Sequence, residues 1–180
     1  MRVIAGIARG VPLAAPRDRA TRPITDRVKE TLFGILGDRV SESRVLDLYA
    51  GSGAIGIEAL SRGAASVDFV ERNRGALAVL RANLERTRLG QHARVHPTEV
   101  ERFLGAATEG PWDLAILDPP YEERAMVAPL RALGPHLAPG ASVVIKHFWR
   151  TELPEIDPLT AVRQRRFGET MLTFLIMEDA

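Results

Sequence analysis

The chain has no cysteine in its 180 residues. That excludes disulfides and thiolate metal sites and makes a reducing cytoplasm the simplest setting. No apolar run approaches the roughly 20 residues of a membrane helix, so no membrane association is expected. The apolar start is too short, and too interrupted by Arg2 and Arg9, for a secretion signal. Lysine is scarce, at two of the 24 basic residues. There is no internal repeat and no low-complexity tract. The histidines, His92, His96, His136 and His147, lack metal-ligand spacing and read as surface or structural groups, so no metal is expected.

What is present is an ordinary globular composition, 46% apolar and 26% charged, in a length that suits one well-buried domain with a small appendage. The net charge of +1 hides an asymmetry. Residues 1–40 carry eight bases against four acids, and the remainder carries 16 bases against 19 acids. A basic segment on a near-neutral body suits a polyanion partner at one end, and equally a solvated surface.

After residue 40 short β-like runs alternate with longer helical ones, the pattern of βαβ units around a parallel sheet. Strands are expected at 44–50, 66–72, 93–97, 112–118 and 141–148, with helices at 53–63, 74–90, 99–107 and 122–138. The rhythm then breaks. "LTAVRQRRFG" and "ETMLTFLIM" are β-like runs joined around Gly168 with no room for a helix, so the sheet should close in an antiparallel hairpin. At the front, "RVIAGIARGVPLAAP" alternates around Gly10 like a small hairpin. "TDRVKETLFGILGDRV" follows as a helix with Thr25 as its N-cap. The expected fold is α/β and Rossmann-like: seven strands, mostly parallel. Residues 1–22 form an N-terminal hairpin extension and 23–180 the main domain.

"LDLYAGSGAIGIEAL" (46–60) places Gly51, Gly53 and Gly56 in G-x-G-x-x-G spacing between a strand and a helix. Such a loop presents backbone N–H groups and a helix N-terminus at the carboxyl edge of the sheet, where nucleotides bind. Glu71, 20 residues beyond Gly51 at the end of the next strand, suits ribose hydroxyls. Both features serve NAD and S-adenosylmethionine alike, and a tight turn needing glycine for backbone reasons alone is the plain alternative. Asp47 tilts the choice. Its carboxylate, four residues before Gly51, would repel a pyrophosphate but suit the ammonium and sulfonium of S-adenosylmethionine.

"DPPY" (118–121) falls at the carboxyl end of the fourth strand, facing the same cleft. Read plainly, Pro119 and Pro120 stop a strand. Read chemically, the tetrad suits the exocyclic amine of a nucleobase, whose lone pair is delocalised and poorly nucleophilic. Asp118 and the Pro119 carbonyl accept its two N–H bonds, and Tyr121 offers a face to a base drawn out of its stack. The remaining work is to hold the amine in line with the methyl group, roughly 3–3.5 Å away.

The glycine loop with DPPY resembles the class I S-adenosylmethionine-dependent methyltransferases acting on base amino groups. "RVIAGIARGVPL", "TRPITDRVKETLFGIL" and the closing "RRFGETMLTFLI" are similar to the RsmD family, bacterial enzymes that methylate guanine N2 in 16S ribosomal RNA. The likeness covers essentially the whole chain. It implies that Asp47, Tyr49, Ala50, Gly51, Ser52 and Gly53 form the methionine side of the cofactor pocket, that Glu71 holds the ribose, and that Glu99 and Val100 flank the adenine. It implies that Asp118, Pro119 and Tyr121 hold the guanine. Arg22, Thr25 and Arg27 would lie near the cleft mouth, with Arg9 and Arg17 on the RNA. It further implies a cytoplasmic monomer acting on 16S RNA, free or in a partly assembled 30S subunit. Two positions depart from the family: Glu99, where aspartate or asparagine is usual, and Lys146, where glutamate is usual. The alternatives are an adenine-N6 or protein-glutamine methyltransferase, an NAD-dependent oxidoreductase, and a non-enzymatic RNA-binding module; Asp118 speaks against the glutamine enzymes, which carry asparagine there.

Overall fold

The computed structural model describes residues 1–16, 24–119 and 124–178. Arg17, Arg22 and Tyr121 lie outside the described residues. Seven strands form a single sheet: β1 (Arg44–Leu48), β2 (Ser66–Val70), β3 (Ala93–His96), β4 (Trp112–Leu117), β5 (Leu137–Phe148), β6 (Leu159–Phe167) and β7 (Thr170–Met177). Their order is β3-β2-β1-β4-β5-β7-β6. The first five run parallel, and β7 pairs antiparallel with both β5 and β6. The Rossmann-like sheet with its closing hairpin is therefore as expected.

The chain leaves β1 for β2 on one side and reaches β4 on the other, so β1 and β4 are neighbours with a switch of direction between them. In open parallel sheets that is where ligands bind, beyond the carboxyl ends of the strands. β1 and β4 are buried on both faces because helices cover each side, which is why they read as nearly unbroken apolar runs. One apolar cluster joins α1 (Asp26–Leu36), α2 (Ala54–Ser61) and α3 (Arg74–Thr87) to one face of the sheet. A second joins α4 (Val100–Ala106) and α5 (Arg124–Leu133) to the other, around the fully buried Trp112.

All eight residues of α2, Glu58 and Ser61 included, are buried. A helix apolar on every side but for such groups must be covered on every side, and here residues 1–16 supply the outer cover. Arg2 and Pro12 form an antiparallel bridge, with further backbone bonds between Val3 and Val11 and between Met1 and Leu13. The front segment is thus narrower than a two-stranded hairpin, because its backbone spends its hydrogen bonds on α2 as well. Ile4 and Ala5 donate their N–H groups to the Glu58 carboxylate at 2.8 and 3.0 Å. Ile7 donates to the Ser61 carbonyl at 2.8 Å. At Gly6, with φ of 82°, a Cβ would stand 1.6 Å from that same Ser61 oxygen, so only glycine allows this approach.

The helix expected at 122–138 is shorter in its described part. α5 stops at Leu133, a 3-10 turn occupies Gly134–His136, and β5 has already begun at Leu137. The cause is Pro135, which has no N–H to continue the α-helical ladder, so α5 ends at Leu133 and the chain tightens into the 3-10 turn.

Candidate active site

β1 ends at Leu48 and the chain turns sharply, with left-handed φ of 61° at Tyr49, 56° at Gly51 and 76° at Gly53. Gly53 is the N-cap of α2, and a Cβ there would lie 2.1 Å from the Leu80 side chain. Backbone bonds fasten this loop to the end of β2, from the Ala50 N–H to the Val70 carbonyl at 3.1 Å. Glu71 completes the fastening, accepting from the Gly51 N–H at 2.9 Å and from the Asn73 N–H at 2.7 Å. Both of its oxygens touch backbone donors yet retain lone pairs for a further hydroxyl.

Asp47 is buried and accepts the Gly56 N–H in the first turn of α2 at 2.9 Å. Gly56 is what permits this, since a Cβ there would meet the Phe69 ring at 2.3 Å and the Asp47 carboxylate at 2.9 Å. Burial pushes the Asp47 carboxyl up to about 7, against the Gly56 bond that lowers it, and the charges of Asp118 and Glu71 add to the rise. Three carboxylates thus converge around the glycine loop.

Asp118 follows β4, and its N–H bonds the Leu48 carbonyl at 3.3 Å, which locks the start of DPPY beside the start of the glycine loop. Its Oδ1 accepts a 2.6 Å hydrogen bond from Lys146 Nζ on β5. Burial raises the Asp118 carboxyl, and the Lys146 ammonium opposes that rise. Pro119 is buried behind it. Lys146, a departure from the family at the level of sequence, is therefore the residue that holds the carboxylate in place.

On the β3 side, the Tyr49 hydroxyl donates to Glu101 at 3.2 Å, and burial raises its phenol above the ordinary value. Val100 is buried at the start of α4. Glu99 is the N-cap of that helix but does not cap it with its side chain, which is paired instead with Arg72 at 3.1 Å and is largely exposed.

The basic residues are spread more widely. Thr25 caps α1, accepting the Val28 N–H at 3.4 Å, and Arg27 is exposed in the first turn of that helix. Arg9 is exposed in the turn that docks on the C-terminal end of α2, whereas the glycine loop is at that helix's N-terminal end. The structure does not bring Arg9 to the site.

Sequence reading passed over two buried side chains, one that supports the loop and one that ties the front segment to α2. Asn83 of α3 donates from Nδ2 to the Ser52 carbonyl at 2.9 Å and to the Ala14 carbonyl at 3.0 Å, and accepts the Ala14 N–H. Glu58 receives Lys29 at 3.1 Å and Arg62 at 2.8 Å in addition to the two backbone donors. The available signal was a pair of polar residues four or three apart on an otherwise apolar helix face, Asn83 with Thr87 and Glu58 with Ser61, which buried hydrogen bonding requires.

The family described as "Conserved hypothetical protein 95" matches residues 1–176. The "Putative rRNA methyltransferase YlbH" of Bacillus subtilis is 39% identical over 175 residues, 94% of this chain and 95% of that one. The "Ribosomal RNA small subunit methyltransferase D" of Escherichia coli is 40% identical over 121 residues, covering 67% of this chain and 60% of that relative. A solved structure, "Putative methyltransferase yhhF from Escherichia coli", superposes with a TM-score of 0.89 at 32% identity, over 99% of this chain and 98% of that one. With a likeness that extends over nearly the whole chain, the chain belongs to the Conserved hypothetical protein 95 family, the RsmD family.

Proposed function

We propose that this chain transfers a methyl group from S-adenosylmethionine to the exocyclic N2 of a guanine in 16S ribosomal RNA, free or within a partly assembled 30S subunit. One observation carries the reading. Asp118 sits directly across the β1–β4 switch from the glycine loop, with its carboxylate anchored by Lys146. A donor lodged in the loop and a base held by DPPY then meet edge to edge.

The donor set fits S-adenosylmethionine better than a dinucleotide. Asp118 and Glu71 are close enough for their charges to act on Asp47, and a pyrophosphate would meet the three as like charge in a partly desolvated cleft. An ammonium and a sulfonium relieve that repulsion. When bound, the cofactor supplies an electrophilic methyl group. Asp47, Tyr49, Ala50, Gly51, Ser52 and Gly53 would hold its methionine part, Glu71 the ribose, and Glu99 with Val100 the adenine. Glu99 gives Oε1 to Arg72, leaving Oε2 as an acceptor for the adenine amine, and Val100 would add an apolar contact.

Asp118 would accept one N–H of the guanine amine through Oδ2 while Lys146 keeps Oδ1, and the Pro119 carbonyl would accept the second. Two acceptors favour positive charge building on nitrogen as its lone pair leaves the ring, a stabilisation realised mainly in the transition state. Tyr121 supplies the stacking face. Arg17 and Arg22 would contact the RNA, as would Thr25 and Arg27 near the mouth. Residues 1–22 act as an RNA-facing extension of the 23–180 domain, with Arg9 marking its far limit.

Nucleoside mass spectrometry of ribosomal RNA from cells lacking the protein tests the reading. Loss of one N2-methylguanosine from 16S RNA, restored by the gene, is expected. Loss of N6-methyladenosine instead moves the activity to adenine. Calorimetry that detects NAD and not S-adenosylmethionine overturns it altogether.

A further inference from the structure

β6 is the free edge of the sheet, and every residue from Thr160 to Arg166 is exposed. It carries Arg163, Arg165 and Arg166 and no acid. Edge strands are commonly guarded by charge against pairing with other chains, but either sign, and a single charge, serves that purpose. Here the charge has one sign and a defined neighbour. Arg166 lies over the Trp149 ring at 3.6 Å from its centre, and Arg150 lies over the same ring at 4.8 Å. Among the described residues no carboxylate forms a salt bridge with any of these four guanidiniums. The nearest acids, Glu152, Glu155, Asp157 and Glu169 in the connecting loop and the turn and Glu178 at the Thr160 end of β6, are themselves exposed, and Glu178 accepts the Thr160 hydroxyl.

The register places this strip beside the candidate site. Arg165 pairs with Leu172 of β7, and Leu172 pairs with Lys146 of β5, so the three side chains share one face in one row; Arg163 shares that face, while Arg166, in register with Met171 and His147, points to the other, so the strip wraps both sides of the free edge. At roughly 4.8 Å per strand, Arg165 starts about 10 Å from Lys146, and Lys146 touches Asp118. Trp149 and Arg150 follow β5 at the same carboxyl edge.

From this geometry we infer that Arg163, Arg165, Arg166 and Arg150, with Trp149, form an RNA-docking track. It runs from the catalytic edge along the free strand and holds the phosphates that flank the target nucleotide. The inference deepens the function proposed above and rests on it for the identity of the nucleic acid. The guanidiniums contact backbone phosphates, and Trp149, already stacked by two of them, offers its indole to an unpaired base. The track lies on the opposite side of the β1–β4 switch from α2 and the front segment docked on it, so the RNA is held across the DPPY edge from both sides.

The test is filter binding of a 16S ribosomal RNA transcript, and of 30S subunits from a strain lacking the protein, across a range of salt. The triple variant R163Q/R165Q/R166Q is expected to bind both probes about tenfold more weakly, with the salt slope reduced by about 2. The charge-preserving R163K/R165K/R166K variant should retain most of the affinity, which separates phosphate contact from damage to the strand. W149A should weaken binding several-fold with the slope unchanged. Wild-type-like affinity and slope in the glutamine variant overturn the track, as does failure of the wild-type protein to bind either RNA probe. Loss of subunit binding with transcript binding intact also overturns it, in favour of a ribosomal-protein contact. Calorimetry with S-adenosylmethionine on the same variants should give wild-type affinity. A wild-type protein that binds no S-adenosylmethionine removes the methyltransferase reading while leaving the RNA result to be judged by its own slope.

Discussion

Lys146 Nζ lies 2.6 Å from Asp118 Oδ1, joining the fifth strand to the residue that follows the fourth. Both side chains are largely shielded, at 11% and 25% exposure. A charge-assisted bond this short fixes the carboxylate plane and leaves Oδ2 for another donor. Lys146→Met is therefore expected to raise the Asp118 carboxyl further, because the ammonium that opposed the rise is gone. The acidic limb of the pH–rate profile should move to higher pH, with the rate at neutral pH falling about tenfold. Lys146→Arg should restore much of it. An unmoved acidic limb in the methionine variant would mean that the pair does no more than fasten two strands.

Asp118→Asn keeps the shape of the side chain but replaces one acceptor oxygen by a donor. Turnover is expected to fall by a factor of about 100 or more. Affinity for S-adenosylmethionine, by calorimetry, should change less than threefold. Near-normal turnover in this variant would remove Asp118 from the chemistry.

Asp47 keeps its proton to about pH 7 in the folded protein, against an ordinary value of 3.8. Between those values the folded state binds more protons than the unfolded one. Asp47's contribution to stability therefore falls as pH rises through that window and is flat above about 7. Asp47→Asn should flatten this part of the stability–pH curve, measured by urea unfolding at intervals from pH 5 to pH 8. A cation bound beside Asp47 favours its ionised form, so S-adenosylmethionine should bind less tightly below pH 7 and release protons there. Calorimetry in two buffers of different ionisation enthalpy reads that release directly.

Glu58 and Lys29 have fully buried side chains 3.1 Å apart, and Glu58 also holds Arg62 and two backbone N–H groups of the front segment. Removing one partner strands the other charge without water. Glu58→Ala should cost about 3–5 kcal/mol in urea unfolding. It should also free residues 1–16, so that trypsin cuts at Arg9 in the variant before it does in the wild-type protein. Equal cleavage rates would show that the segment stays docked without the carboxylate.

The alternation of strands and helices was legible because burial on two faces selects continuous apolar runs, as in "RVLDL" and "WDLAIL", while the intervening helices repeat at 3.6 residues. The antiparallel close could be read from the lack of any helix-length segment around Gly168. The α5 boundary was misplaced because the apolar stripe continues past Leu133 even though Pro135 forbids the helix from doing so. Within the site, the glycine loop and Asp118 stood out as local patterns. Lys146 was noticed without a role, since no spacing rule links position 146 to position 118.

The chain by itself determined its layered α/β class, the glycine turn and the placing of DPPY at a strand end, because these follow from local conformational limits and from periodicity. Tertiary structure alone decided which residues meet across strands: Lys146 with Asp118, Asn83 with Ser52, Arg165 in a row with Lys146. Those contacts depend on strand order and register, which long-range packing sets.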